Sequence, residues 1–246
     1  MGQKSKIDWT DATWNCVTGC TKVSAGCANC YAETLSLRLQ KTGTKKYQNG
    51  FKLTLHPKDL DLPLNWKKPR KIFVNSMSDL FHKDIPYDFI DKVWGTMMKA
   101  DWHIYQILTK RPEIMLDYTK SKKHKPIKHI WLGTSVEDSR VTTRIDILRK
   151  VPAAVRFISF EPLIGDVGEL NLSNIHWVIV GGESGKNHRP IKEEWIQHIL
   201  NQCEEQNVAF FFKQWGGITS KSGGRLLNGK VYDEYPGIYS LNKGYV

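Results

Sequence analysis

One pattern recurs along most of this chain: a short apolar, β-rich run, a polar loop, then an amphipathic helical stretch. The runs are residues 71–75 (KIFVN), 103–108 (HIYQIL), 129–132 (HIWL), 155–159 (VRFIS), 176–180 (HWVIV) and 208–212 (VAFFF). A further strand is expected between residues 7 and 17. Helical periodicity falls at residues 27–40, 87–100, 112–118, 136–150 and 192–206, the third opened by Pro112 and the last preceded by Pro190 with an acidic first turn. Strands alternating with helices at this spacing build βαβ units, so the sheet is expected to be parallel, either open or closed into a barrel.

No shift of composition divides the chain. Residues 1–216 are expected to form one α/β domain, with residues 41–70 as an irregular basic insertion between the first helix and the second strand. Residues 217–246 read as a hairpin tail packed on the barrel, because Asn228-Gly229 between apolar runs favours a two-residue turn.

In parallel α/β folds, binding and chemistry collect where strands run out into loops. Here the strand ends are Ser76-Met77-Ser78-Asp79, Thr109-Lys110-Arg111, Gly133-Thr134-Ser135-Val136-Glu137, Phe160-Glu161-Pro162, Gly181-Gly182-Glu183-Ser184-Gly185 and Lys213-Gln214-Trp215-Gly216. Each carries a charged or hydrogen-bonding side chain, and these ends are expected to ring one pocket. The glycines of the Gly181 loop permit close approach to a ligand, but their spacing is not that of a dinucleotide fingerprint.

Four of the five cysteines lie between residues 16 and 30, and Cys20, Cys27 and Cys30 are spaced C-x6-C-x2-C. Thiolates so clustered suit zinc or an iron-sulfur cluster. Four would close a structural zinc site, whereas three leave a coordination position open. The N-terminus has no apolar signal region and no run of about 18 apolar residues occurs, so a cytoplasmic protein with no membrane span is expected. A reducing compartment favours metal ligation over disulfides. Lys and Arg total 36 against 25 Asp and Glu, a net charge of +11 that would attract a polyanion such as nucleic acid. Three classes stand: an enzyme with an open metal position, a non-catalytic nucleic-acid-binding protein with a four-cysteine zinc site that includes Cys16, and an α/β nuclease using the acidic strand ends with Mg2+.

A cysteine loop after the first strand, followed by further strand-helix units, resembles the radical S-adenosylmethionine (SAM) superfamily. The segments IDWTDATWN at residues 7–15, Thr18-Gly19-Cys20 and Ser24-x-Gly26-Cys27-x2-Cys30-Tyr31 are similar to a phage-associated three-cysteine-motif family of poorly defined function. The similarity runs through nearly the whole chain. It implies a partial or complete (β/α) barrel with about six to seven parallel strands and a C-terminal hairpin extension. It also implies a 4Fe-4S cluster on Cys20, Cys27 and Cys30, bound SAM, an electron donor protein, and a 5′-deoxyadenosyl radical acting on a nucleic acid or nucleotide. The common superfamily spacing is C-x3-C-x2-C, so the first interval here is a departure. By position the resemblance assigns the SAM amino group to Ser76, Ser78 or Asp79, and its ribose or carboxylate to Ser135 and Glu137. Adenine would pack on Tyr31 and the loop of Gly181, Gly182 and Glu183. Glu161, Lys110 and Lys213 would face the substrate, one of them relaying a proton.

Overall fold

The structure is a computed structural model and describes residues 5–237. Its strands are β1 (Ala12–Trp14), β2 (Val17–Thr18), β3 (Thr54–Leu55), β4 (Lys71–Val74), β5 (Ile104–Thr109), β6 (Ile130–Ser135), β7 (Val155–Phe160), β8 (Trp177–Gly181) and β9 (Ala209–Gln214). The helices are α1 (Tyr31–Lys41), α2 (Tyr87–Lys99), α3 (Pro112–Ser121), α4 (Thr143–Arg149) and α5 (Glu193–Glu205). Seven strands form one sheet in the order β1-β4-β5-β6-β7-β8-β9, and every neighbouring pair is parallel. Spatial order equals chain order, so each crossover steps one place in one direction. A doubly wound sheet would reverse direction. The sheet curls into a half-barrel with β1 and β9 at its open edges, as the alternating pattern led us to expect.

Strand residues point alternately to the two faces, and the sequence sorts them into two cores. On the helix side, Ile72, Val74, Ile107, Leu132, Ile158, Val178, Val180 and Phe212 pack with Phe89, Ile90 and Val93 of α2 and Ile196 and Ile199 of α5. On the concave side, Trp9, Phe73, Trp131, Phe157, Trp177, Ile179 and Phe211 form a second cluster. Trp177 is its hub, with ring centroids of Phe157, Trp131 and Phe211 at 5.7, 5.9 and 6.1 Å. Burying a side chain of this size contributes roughly 1.5–3 kcal/mol. Gly133 is cross-strand partner to Phe157, and a Cβ there would stand 2.6 Å from that ring, so only glycine admits it.

Three expected elements differ. The first helix begins at Tyr31, because residues 25–27 close a 3-10 turn and Cys30 is extended. Of residues 136–150 only Thr143–Arg149 is α-helical; Asp138 takes the amide of Arg140 and starts a 3-10 turn instead. In the tail, Asn228 and Gly229 have φ of 50° and 72° and close a turn by a single Leu227–Lys230 bridge. The chain beyond it pairs antiparallel with β9 through Phe211 and Asp233. Residues 238–246 of the expected tail lie outside the described residues. Among those described, no helix is long and apolar enough to cross a membrane.

His198 of α5 bridges two carboxylates of the loop between β7 and β8, Asp166 at 3.2 Å and Glu169 at 3.3 Å. The hydrogen bond to Asp166 outweighs burial and raises the imidazole pKa. A raised folded pKa adds stability that is complete below the unfolded value of about 6.5 and is lost as pH rises through the folded one. Urea unfolding should therefore show His198→Ala costing up to about 1 kcal/mol near pH 5.5 and less near pH 8.5. An equal cost at both values would refute the assignment.

Candidate active site

A cavity of about 460 Å³ opens at the carboxyl ends of the strands, a size that suits a nucleotide-scale ligand. Its apolar floor includes Trp9, Phe73 and Leu108 from the concave face. The same alternation carries Lys110, Ser135, Glu161 and Lys213 onto the cavity wall above them. Cys20, Cys27 and Cys30 line it from the loop between β2 and α1, joined by Tyr31, Ser76, Ser78, Asp79, Gly182 and Glu183. Gly181 and Glu137 are not among its lining residues.

The expected irregular insertion braces the cysteine loop. β3, which it supplies, pairs antiparallel with β2. His56 donates its amide to the Cys16 carbonyl (2.8 Å), Lys46 bonds the Asn15 carbonyl (2.6 Å), and Cys20 donates its amide to Phe51 (3.3 Å). Gly19, at φ +80°, sits so near this segment that a Cβ would be 2.2 Å from the Lys52 carbonyl oxygen. The turn aiming Cys20 into the cavity therefore requires glycine.

Cys16 is fully buried within the helix-side core, and its thiol donates to Asn75 Oδ1 at 3.5 Å. Burial pushes its pKa up to about 12. It belongs to the core, which leaves three thiols on the cavity. All five cysteines are free. Among the described residues no group of three or more His, Cys, Asp or Glu side chains is placed to hold a metal ion. A 4Fe-4S cluster makes a different demand, since each thiolate binds its own iron. Three free thiols facing one cavity, without a fourth, meet that demand in donor type and number.

The carboxylates at the strand ends are each matched to a cation. Asp79 pairs with Arg111 (2.9 Å), Glu137 with Arg144 (3.0 Å), Glu183 with Arg189 (2.9 Å) and Glu161 with Lys213 (2.6 Å). Asp79 also accepts from the Phe81 and Lys110 amides and the Thr109 hydroxyl. Those four bonds use up the roughly four acceptor sites of a carboxylate, leaving none for an ammonium ligand. Glu137, its side chain 1% exposed, accepts the Gly26 amide at 3.1 Å and so holds the cysteine loop from beneath. Glu183 does the same from the loop after β8, accepting Asn29 Nδ2 at 2.9 Å, while Arg189 donates to the Ala25 carbonyl at 3.0 Å. Burial pushes the Glu183 carboxyl up, but the Arg189 and Asn29 hydrogen bonds outweigh it and hold the pKa low. Asp79, Glu137 and Glu183 are thus each held by an arginine and by neighbouring backbone or side-chain donors.

Lys110 differs from these cations. Its ammonium reaches only the Glu161 carbonyl, at 3.5 Å, and it has no carboxylate partner among the described residues. Glu161 also accepts the Ser159 hydroxyl at 3.0 Å. Tyr31 donates its hydroxyl to the Ser76 carbonyl, placing its ring at the cavity edge. His82, Trp14 and Trp66 are buried away from the cavity. Arg111, which sequence reasoning passed over, lies against Cys20; its only signal was its place in the Thr109-Lys110-Arg111 strand end.

Residues 4–236 match the family described as "Protein of unknown function (DUF5131)". The chain belongs to that family. No curated protein matches it. Among solved structures it is similar to "Spore photoproduct lyase complexed with dinucleoside spore photoproduct", at 12% identity and a TM-score of 0.41, over 83% of this chain and 64% of that one. The chain therefore spans just under two thirds of that protein's length.

Proposed function

We propose that the protein is a radical SAM-type enzyme acting on a nucleic acid or nucleotide. The observation that supports this most is the convergence of three free cysteines and a ring of polar strand ends on one cavity of an open parallel half-barrel. In this reading Cys20, Cys27 and Cys30 hold a 4Fe-4S cluster, and Ser76, Ser78, Ser135 and the Gly182 backbone face S-adenosylmethionine, with Tyr31 beside the adenine. When bound and reduced by an electron donor protein, that cofactor pair supplies a 5′-deoxyadenosyl radical for hydrogen abstraction.

The chain's own residues do the rest. Trp9, Phe73 and Leu108 exclude water from the floor of the cavity. Lys110, lacking a carboxylate partner among the described residues, offers its charge to a phosphate of the substrate. Glu161 steadies the Lys213 ammonium, whose Nζ proton is then placed for donation to the reacting product. The +11 net charge supports a polyanionic substrate.

Protein reconstituted anaerobically with iron and sulfide, then given SAM and dithionite, should release 5′-deoxyadenosine. An intact cluster with no such product would overturn the reading.

A further inference from the structure

The Arg111 guanidinium makes three contacts at the cysteine loop and one to Asp79. Nη1 donates to Cys20 Sγ at 3.6 Å and to Asp79 Oδ2 at 2.9 Å, while Nη2 donates to the Thr21 carbonyl at 2.9 Å and to Thr21 Oγ1 at 3.0 Å. The residue is 5% exposed. Its surroundings fix it from both sides. Asp79 is locked by three further donors, as described above. On the other side, the Asp84 amide donates to His82 Nδ1 at 3.2 Å, so the neutral ring carries its hydrogen on Nε2 and donates to Thr21 Oγ1 at 2.8 Å. A planar fork held this way loses little freedom per bond, and it cannot swing away from the sulfur without breaking the Asp79 pair.

This much structure on one cysteine exceeds what aiming a side chain requires, since neither Cys27 nor Cys30 has a charged hydrogen-bond partner among the described residues. Resting on the cluster assignment above, we infer that Arg111 is a positioning residue that sets the reduction potential of the cluster through Cys20. One-electron reduction adds a negative charge to the cluster. A cationic N–H donor on a ligand sulfur stabilises the reduced form more than the oxidised one, and hydrogen bonds to sulfur are among the levers that tune such potentials. Asp79 opposes it. The carboxylate shares Nη1 with the sulfur and carries the opposite charge, so it offsets the pull of Arg111, which alone donates a hydrogen bond to Sγ.

The two residues therefore predict shifts of opposite sign. Redox titration of the reconstituted protein with dithionite and viologen mediators, followed by the EPR signal of the reduced cluster, reads the midpoint directly. Arg111→Met should make the midpoint more negative by at least 59 mV, a tenfold change in the one-electron equilibrium. Arg111→Lys, which keeps the charge but not the fork, should fall between it and the wild type. Asp79→Asn should move the midpoint positive. Iron content is measured alongside to show that the cluster is retained. Variants with full iron and wild-type midpoints overturn the role of Arg111 while leaving the cluster assignment standing. A wild-type protein that takes up no cluster overturns both. Should Arg111→Met lose its iron, Arg111→Lys and Asp79→Asn still decide by the sign of their shifts.

Discussion

Replacing Cys27 by alanine is expected to abolish iron uptake on anaerobic reconstitution, from about four irons per chain to a background level, whereas Cys16→Ala should retain the full complement. The contrast follows from where the loop puts the two thiols. Cys27 ends the 3-10 turn that faces the cavity, and its neighbours Cys20 and Cys30 line the same wall. Cys16 lies four residues before Cys20, yet it is packed among apolar side chains and hydrogen-bonded to Asn75. Its removal should cost on the order of 1 kcal/mol of stability through lost packing and one weak bond, measurable by urea unfolding. Iron content and colour decide the matter without any need for activity. Equal loss in both variants would restore the four-cysteine site, and one tightly held zinc in the wild type would do the same.

Glu137→Ala should destabilise the protein by about 3–5 kcal/mol, the range for removing one partner of a buried ion pair. Arg144 would keep its Ser135 carbonyl contact but lose its only carboxylate partner among the described residues, in surroundings that leave its side chain 11% exposed. The Gly26 amide would lose its acceptor as well, so the cysteine loop should loosen before the barrel unfolds. Limited proteolysis cutting within residues 20–30, together with a lower urea midpoint, is the expected signature. Glu137→Gln, which can still accept from Gly26, should be milder. A loss under about 1 kcal/mol for Glu137→Ala would show that the carboxylate is not an anchor.

Much of the fold could be read from alternation alone. Residues 177–180 and 208–212 are apolar on both faces, the mark of strands covered on each side. The polar residues that follow had to sit where those strands leave the core. Less legible was the meaning of each polar residue. Asp79, Glu137, Glu161 and Glu183 look alike in the sequence, each an acid at a strand end. Arg144 and Arg189 follow seven and six residues behind their partners, while Arg111 is 32 residues from Asp79 and on another strand end. Pairing over such distances depends on which helix or loop folds back across the barrel mouth, and local periodicity does not encode that. The insertion at residues 41–70 was opaque for a related reason. Its one strand has only two residues, and it exists because β2 is beside it to share hydrogen bonds.

The cysteine loop shows the same division. Sequence by itself determined that three cysteines follow a first strand at C-x6-C-x2-C spacing, and that a fourth lies just upstream, because spacing is a covalent property. Only the tertiary structure decided that Cys16 turns into the core while the other three face the cavity, and that Arg111 comes to rest on Cys20. Those outcomes depend on Asn75 and Asp79 after β4 being brought against the loop of Thr21 after β2, where burial makes most polar groups find a partner and so fixes which side chains remain free for a ligand.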